Sequence, residues 1–361
     1  MVQLFVGWPN FWRLMRPIVA VKIQFEVEIV SEEEFEAIDA AIQEAAMQEV
    51  EATSRKTRPG LLTPLDKFRG GLGYLSVSDL TAQFWCEQQM EYNFLAPEPK
   101  PETVQMQLGK DIHMARELEL YDVVDIKIES KEDKWATRFL NCLNKMAFLD
   151  AQQTIRELPV FGEPFQLGVF VYGIIDELHF NEMGQLEISE LKTRATNNSL
   201  PSKAQQNKNF LQAMLYSIMF NDLLEGKLAT TTLLSKFNLN GLAALSEDVV
   251  KFANELRIPC AKLIQIADLM LSRFKTSNIP KISSVVVEYC SQFSHEEIHK
   301  TCLQLDESWA HSKLVTMLPY WKGERETIGV EIEEAWKCHR CEFADICTWR
   351  IKKDEECRKL K

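Results

Sequence analysis

Apolar and polar positions alternate most clearly over residues 167–194, where two apolar runs flank a polar tip. Residues 169–175 are apolar, β-branched or aromatic, and residues 186–191 alternate between two faces. The tip between them, around 181–184, has the composition of a turn. This pattern predicts a β-hairpin. Residues 158–161 predict a further strand that pairs with it in a three-stranded meander.

Helical spacing of apolar residues recurs on both sides of this hairpin. Ser78-Asp79-Leu80 has the pattern of a helix start, and that helix would include Trp85, Cys86 and Glu87. The remaining predicted elements are helices over 104–120, 131–149, 203–224, 246–275 and 294–318, and strands over 226–239 and 283–289.

The composition gives ample material for a core, with 46% hydrophobic and 10% aromatic residues among 361. The net charge of −12 at first argues against a nucleic-acid partner. However, residues 31–51 contain eight acids and no Lys or Arg, so −12 + 8 leaves only −4 for the rest. A local basic groove is therefore compatible with the charge. Lys192, Arg194, Lys203 and Lys208 form one basic segment.

The amino-terminal 60 residues differ from the rest of the chain. Residues 1–30 are apolar, carry Arg13, Arg16 and Lys22, and have no acid before Glu26. Such a start fits an organelle presequence or a gene start without structural meaning. Residues 31–51 predict an acidic amphipathic helix and 53–60 a polar linker, so we expect a poorly ordered extension over 1–60. A single folded domain is expected over 61–361.

Asp176, Glu190 and Lys192 are the residues of the hairpin with catalytic potential. Glu190 and Lys192 are two apart, so they leave the same face of their strand. A two-residue turn places Asp176 opposite Ser189, and one extra residue in the turn places it opposite Glu190. Two carboxylates can hold Mg²⁺, and a lysine beside them can position a water or stabilise a phosphoryl group.

Two helices carry polar residues at helical spacing. His113 and Glu117 are i, i+4 neighbours within the helix predicted over 104–120, and Gln212 and Tyr216 share a face of the next long helix after the hairpin. Without the hairpin, His113 is better explained as a solvated or core histidine than as a ligand.

Nine cysteines, without a signal peptide, favour a reducing compartment and metal binding over disulfides. Cys338, Cys341 and Cys347 form a C-x2-C-x5-C run. A fourth ligand could be His339, Cys357 or the distant Cys86. Spacing does not separate a zinc site from an iron–sulfur cluster.

The order of these landmarks resembles a known nuclease branch. Cys86, the GxxxH pattern at His113, the D…ExK hairpin, Q-x3-Y and the cysteine run appear in this order in RecB-like PD-(D/E)xK nucleases with an iron–sulfur cluster. The stretches DIHMARELEL, GIIDELHF and IEEAWKCHRCEFADIC more narrowly resemble the exonuclease V family. The resemblance covers about residues 61–350.

The resemblance implies an α/β fold with a PD-(D/E)xK restriction-endonuclease-like core. A small mixed sheet would be flanked by helices, with helical insertions and a [4Fe-4S] clamp whose carboxy-terminal part is 336–350. It also implies roles for individual residues. Metal ligands would be His113, Asp176, Glu190 and the carbonyl of Leu191, with Lys192, Gln212 and Tyr216 as further catalytic residues and Glu117 as a supporting or second-metal acid. Cluster ligands would be Cys86, Cys338, Cys341 and Cys347, and candidate DNA contacts Arg194, Lys203, Lys208, Arg340 and Arg350.

The function implied is a Mg²⁺-dependent (or Mn²⁺-dependent) exonuclease that acts on single-stranded DNA from its ends in DNA repair. A [4Fe-4S] cluster would be its second cofactor. Single-stranded DNA would be its main partner, with a single-strand-binding protein as a further one, no membrane and a monomeric state. A nuclear location is expected, with the cytosol and the mitochondrion as alternatives. A flap endonuclease of the same branch and a non-catalytic zinc-bound scaffold are the competing functions.

Overall fold

The computed structural model describes residues 62–68, 71–96, 102–121, 124–195 and 200–359. The predicted extension over 1–60, including its acidic helix and linker, lies outside the described residues. Within the described part, no helix is both long and apolar enough to cross a membrane.

The α-helices of the described chain lie before the second strand, between the fourth and fifth strands, and after the sixth strand. They are α1 (Pro64–Lys67), α2 (Val77–Trp85), α3 (Glu87–Leu95), α4 (Val104–Leu120), α5 (Lys131–Asp150), α6 (Lys203–Leu224), α7 (Thr230–Lys236), α8 (Glu247–Glu255), α9 (Leu263–Thr276), α10 (Glu307–Trp321) and α11 (Thr348–Lys359), with a 3₁₀ helix over Ile332–Arg340.

The strands form one mixed six-stranded sheet. They are β1 (Tyr74–Ser76), β2 (Ile155–Gly162), β3 (Phe170–Phe180), β4 (Leu186–Arg194), β5 (Ser284–Ser291) and β6 (Glu297–Gln304). Strand β2 pairs antiparallel with β3, β3 with β4, and β5 with β6, whereas β4 and β5 are parallel. The α6–α9 segment is the crossover that a parallel pair requires.

Strand β3 changes partners along one of its edges. Its first three residues, from Phe170, pair in parallel with β1, and its last four, from Glu177, pair with β4. Between these two pairings the edge of β3 has neither partner. Strand β4 leaves β3 after Ser189 but continues its ladder with β5 to Arg194. We call the opening between the diverging strands the fork.

The main core lies where helices α5 and α6 pack against the sheet and α9 packs against both of these helices. Its largest fully buried side chains include Phe139, Phe161, Phe220, Phe274 and Trp321. Helix α4 is different, because Ile112 is its only buried residue. It lies beside β2 and β4 and carries His113.

Several sequence predictions are confirmed: the hairpin, the meander with β2, the helix over 104–120, and the helices near 131–149 and 203–224. The helix predicted over 246–275 is two helices, α8 and α9. The helix predicted to start at Ser78 has its N-cap two residues earlier. Ser76 is the N-cap, and its side chain and Asp79 form a reciprocal capping box. Cys86 lies between two helices, at φ −165°.

Two further predictions are wrong. The strand predicted over 226–239 is helix α7, because Leu233 and Leu234 bury against the core and tertiary packing overrides the strand preference of the neighbouring threonines. The helix predicted over 294–318 begins only at Glu307, and residues 297–304 form β6. Strand β6 is an exposed edge and therefore lacks the alternating pattern of a half-buried strand.

Candidate active site and cysteine cluster

Asp176 and Glu190 face each other across the fork. The last pair of the hairpin ladder is Glu177 with Ser189, so the next residues along the two strands are Asp176 and Glu190. This is the register with one extra turn residue. Instead of a ladder bond, the backbone N–H of Leu191 donates to Asp176 Oδ2 at 2.8 Å. The diverging strands thus place one carboxylate from each strand at the same point.

A chain of hydrogen bonds leads from Glu190 to helix α6. Lys192 Nζ donates to Glu190 Oε1 at 2.6 Å and to Gln212 Oε1 at 2.9 Å. Gln212 Nε2 in turn donates to the hydroxyl of Tyr216 at 3.0 Å. The spacing of four residues puts Gln212 and Tyr216 on one face of α6. The structure therefore brings together all five residues predicted to be catalytic.

Gly173 permits the approach of Tyr216 to the fork. A Cβ atom at this position would lie 2.4 Å from Cε1 of Tyr216, a distance that real side chains do not tolerate. The glycine in the apolar run of β3 therefore has a packing reason, since it lets an aromatic ring contact the strand backbone.

The two carboxyls of the fork have perturbed acidities. Burial and the neighbouring Asp176 charge together raise the pKa of Glu190 to about 7, against the opposing effect of Lys192. Burial also raises the pKa of Asp176. Glu190 is 1% exposed, and its Oε2 atom has no hydrogen-bond partner among the described residues. A buried carboxylate oxygen without a donor is unfavourable unless a cation binds it.

Lys192 is held as an ammonium ion. Burial alone would lower its pKa, but the charges of Glu190 and Asp176 outweigh burial and raise it. Burial raises the pKa of Tyr216 well above its usual value, so Tyr216 stays a neutral phenol. Lys192 therefore acts as a donor and a positive charge, not as a proton acceptor.

Helix α4 brings His113 to the same pocket. Its Nδ1 lies 3.9 Å from Asp176 Oδ1 and 3.8 Å from Glu157 Oε1. Burial disfavours the imidazolium, yet the nearby carboxylates of Glu157 and Asp176 raise the pKa of His113 overall. The predicted grouping of His113 with Asp176 is thus present.

Glu157 is a pocket residue that the sequence analysis missed. It lies on β2, and the ligand atoms of Glu157, His113 and Asp176 all lie within 4.8 Å of one another. The available signal was an acid directly before the strand predicted over 158–161, which in the structure extends over Ile155–Gly162. Glu117, the acid predicted to support the metal, instead lies 3.7 Å from Nζ of the buried Lys145.

The predicted cluster cysteines also come together. Cys86, Cys338, Cys341 and Cys347 line one pocket, with aromatic neighbours that include Trp85, Tyr92 and Phe343. Burial and the three other thiols raise the pKa of Cys86. We call these four residues the cysteine cluster. The remaining cysteines lie elsewhere, such as Cys142 in the core and the exposed Cys357 on α11.

Side chains beside the cysteine cluster join its two distant segments. Lys337 Nζ donates to the carbonyl of Trp85 at 3.0 Å and lies 4.4 Å from the centre of the Trp85 ring. Trp336 packs edge-on against Trp85, with ring centres 5.7 Å apart. Trp349 donates from Nε1 to the carbonyl of Val330 at 3.1 Å. The three tryptophans therefore pack the cluster region.

The candidate DNA contacts fall into two groups. Arg194 ends β4, and Lys203 and Lys208 lie on the amino-terminal half of α6. Burial and the charge of Lys192 lower the pKa of Lys208 to about 8. Arg340 and Arg350 lie on the segments that carry the cysteine cluster, and Arg350 donates to the carbonyl of Ala344 at 3.0 Å.

Comparisons with known proteins show which family this chain is similar to. The family model Exo5, described as "Exonuclease V - a 5' deoxyribonuclease", matches residues 63–187, 180–262 and 254–350. The protein "Exonuclease V" of Danio rerio is 38% identical over 291 residues, which are 80% of this chain and 73% of that protein. A solved structure titled "Crystal structure of SSO0001" is 13% identical, with a TM-score of 0.35, and covers 86% of this chain and 97% of that one. This structural similarity is too low to support a conclusion about fold or function.

Proposed function

The chain belongs to the exonuclease V family, and from this premise we propose that it is a Mg²⁺-dependent exonuclease for single-stranded DNA. The family assignment supports a DNA exonuclease. The observation that carries the finer proposal is the convergence of Asp176, Glu190 and Lys192 at the fork, where the buried Glu190 Oε2 has no partner among the described residues. This donor set fits a divalent cation.

Oxygen donors of this kind suit Mg²⁺, which is bound through one or two carboxylates plus substrate phosphates. Asp176, Glu190 and the carbonyl of Leu191 would hold the ion, with His113 at the edge of the pocket. When bound, the ion would lower the pKa of a water and offset negative charge on the phosphoryl group.

The residues around the carboxylates orient the reaction. Lys192 is fixed between Glu190 and Gln212, so its third N–H is available to the attacking water or to a phosphate oxygen. Tyr216 holds Gln212 from the opposite side. This fixed donor requires no rearrangement as charge develops in the transition state, which is the source of electrostatic catalysis.

Lys208 is our candidate for a direct phosphate contact. It lies four residues before Gln212, one turn of α6 closer to the amino terminus, and the positive charge of Lys192 acts on it. No ion pair with a carboxylate occurs for Lys208 among the described residues. A half-buried cation in this position is stabilised when the phosphate backbone of a single strand enters.

The cysteine cluster supports an iron–sulfur cofactor better than zinc. Tetrahedral zinc with bonds of about 2.3 Å brings its sulfur ligands to about 3.8 Å of one another. In the described part of the chain, no three cysteines have sulfurs that all lie within 4.8 Å of one another. A [4Fe-4S] cluster binds each cysteine to a different iron and needs the wider spacing.

The decisive experiment compares two single-stranded DNA substrates, a linear strand labelled at its end and a circular strand. Each is incubated with the protein with and without Mg²⁺. We expect the linear strand to be degraded only with Mg²⁺ and the circle to survive. Cleavage of the circle would instead indicate an endonuclease, and no Mg²⁺-dependent cleavage of either would leave the non-catalytic scaffold. Iron analysis of anaerobically purified protein, together with its brown colour, tests the cofactor.

A further inference from the structure

Glu87 is a buried carboxylate at the amino terminus of α3, and it directly follows Cys86 in the chain. It is 5% exposed. Arg325 binds it with both ends of the guanidinium, because Nη2 donates to Oε2 at 2.7 Å and Nη1 donates to Oε1. The two residues are 238 positions apart. This two-pronged ion pair therefore joins the same distant parts of the chain as the cysteine cluster.

Further donors complete the surroundings of Glu87. Gln83 on α2 donates from Nε2 to Glu87 Oε2 at 2.7 Å and to the carbonyl of Met317 on α10, also at 2.7 Å. Trp321 in turn donates from Nε1 to Oε1 of Gln83 at 2.8 Å. The backbone N–H of Ile328 donates to Glu87 Oε1 at 3.0 Å. With the arginine, each carboxylate oxygen accepts two hydrogen bonds, so the buried charge is compensated and its position is fixed.

The arginine of this pair lies on the segment that leads from α10 toward the cysteine run. We call residues 325–330 the strap. The backbone N–H of Gln88 donates to the carbonyl of Ile328 at 3.2 Å. One turn further along α3, Glu91 accepts a hydrogen bond from Oγ1 of Thr327 at 2.7 Å. The strap is thus bonded to α3 at several successive positions.

The end of the strap lies against the chain beside Cys347. A Cβ atom at Gly329 would lie 2.1 Å from Cδ1 of Trp349, so only glycine permits this close approach. Trp349 follows Cys347 by two residues. The strap therefore contacts the chain next to the first and the last cysteine of the cluster, and none of these contacts uses a thiol.

We propose that the Glu87–Arg325 pair positions Cys86 opposite the other three cysteines, so that the cysteine cluster is assembled before a cofactor binds. The proposal rests on the iron–sulfur cofactor of the proposed function. A metal site whose ligands lie on separate segments usually forms only when the metal binds and orders them. Because the strap already joins these segments, less of the binding free energy is lost to ordering, and cofactor uptake should be fast. Both residues of the pair act through Cys86 and are positioning residues.

Two measurements on the metal-free, reduced full-length protein test the pair without an assay of cleavage. Hydrogen exchange of the strap amides reports whether the strap is closed. The rate of iron uptake from ferrous iron and sulfide reports whether the cysteines are gathered. Glu87→Gln keeps the shape of the side chain but leaves the buried charge of Arg325 without its partner. We expect the strap amides to exchange at least about 10-fold faster than in the wild type, and iron uptake to slow about 10-fold.

Two further variants make the result specific. Arg273→Gln is the matched control, because it breaks an ion pair with Asp150 that joins segments 123 positions apart and contains no residue of the cysteine cluster. It should leave both rates unchanged, whatever its effect on the thermal midpoint. Arg325→Lys keeps a positive charge beside Glu87 but loses the second prong, so it replaces Glu87→Gln if that protein does not fold. Both rates should change in the same direction, and less.

Strap amides that exchange freely in the metal-free wild type would overturn the proposal. So would exchange and uptake rates that Glu87→Gln and Arg325→Lys leave unchanged. An opened strap with normal iron uptake would also overturn it, because the pair would then only stabilise the fold. A closed wild-type strap that Glu87→Gln opens, in a protein that takes up no iron, would refute the proposed cofactor and leave the assembly by the pair standing.

Discussion

At the fork, two neighbouring strands supply Asp176 and Glu190, which are only 14 positions apart, whereas the cysteine cluster joins Cys86 to Cys338, 252 positions later. At the fork Glu190 is buried and Asp176 half-buried, and hydrogen bonds hold both carboxyls, but like charges face each other there. The cluster cysteines are partly exposed and lie at helix ends and in irregular segments.

This difference indicates opposite energetic roles. Without a cation, the fork brings two carboxyls together in a buried place, which raises their pKa values and costs stability. The cysteine cluster closes a very long loop, so a cofactor bound there would stabilise the folded state. We therefore propose separate regions for catalysis and for stability, and variants of each region should behave differently.

The largest effect on activity is expected from Asp176→Ala. Loss of a metal ligand should raise the activation free energy for cleavage of single-stranded DNA by several kcal/mol. The cleavage rate should therefore fall about 10³-fold. Single-strand binding and the thermal midpoint should not fall. Initial rates with Mg²⁺, together with fluorescence anisotropy of a labelled strand, measure the two properties. If binding and stability were lost together with cleavage, the fork would have a folding role.

The cysteine cluster should show the reverse pattern. Cys338→Ser should remove bound iron and lower the free energy of unfolding by on the order of several kcal/mol. For domains of about 150–250 residues, each kcal/mol lost from the free energy of unfolding lowers the thermal midpoint by about 2–4 °C. Cys357→Ser, at an exposed position on α11, is the matched control and should change neither iron content nor the midpoint. A stable, fully active Cys338→Ser protein would contradict the stabilising role given to the cysteine cluster.

Gly173→Ala tests the packing behind the fork. The added Cβ would approach the Tyr216 ring, displace Gln212 and so misplace Lys192. We expect a loss of about 1–3 kcal/mol in stability and about 10- to 100-fold in cleavage rate. Gly162→Ala is the control, because a Cβ there meets nothing within 4 Å. Equal behaviour of the two variants would show that the Tyr216 contact is dispensable.

The smallest effect is a pH-dependent gain in stability for Glu190→Gln. In the folded protein the pKa of Glu190 is raised from 4.5 to about 7, so the folded state holds more protons than the unfolded state between these values. Stability conferred by the protonated carboxyl is therefore lost as the pH rises from 4.5 to 7. Metal-free Glu190→Gln should be more stable than the wild type at pH 8, by on the order of 1–3 kcal/mol, and equal to it near pH 4. Chemical denaturation at both pH values measures this. A destabilised variant at pH 8 would contradict the energetic role given to the fork.

The hairpin and its acids could be predicted from sequence because their information is local. Period-two alternation identified β3 and β4, and counting from the turn restricted Asp176 to the level of Ser189 or Glu190. Choosing between these two required the turn geometry, which the pattern does not specify. The cysteine run was also local, but the addition of Cys86 depended on resemblance to known nucleases, since nothing in the spacing links it to Cys338.

Other features could not be predicted because they depend on tertiary contacts. Glu157 faces Asp176 only because β2 pairs with β3 in a particular register and has a left-handed residue there. The pairing of Glu117 with Lys145 depends on the packing of two helices against β2. Helix α7 and strand β6 were assigned wrongly because core packing and an exposed edge override local preference.

The most direct test of the central claim is a diffraction experiment on crystals soaked in Mn²⁺, with anomalous data that locate the ion. The account predicts an anomalous peak at the fork, with carboxylate oxygens of Asp176 and Glu190 at about 2.1–2.2 Å. No peak within bonding distance of both carboxylates, in crystals whose DNA-degrading activity is retained on dissolution, would contradict it.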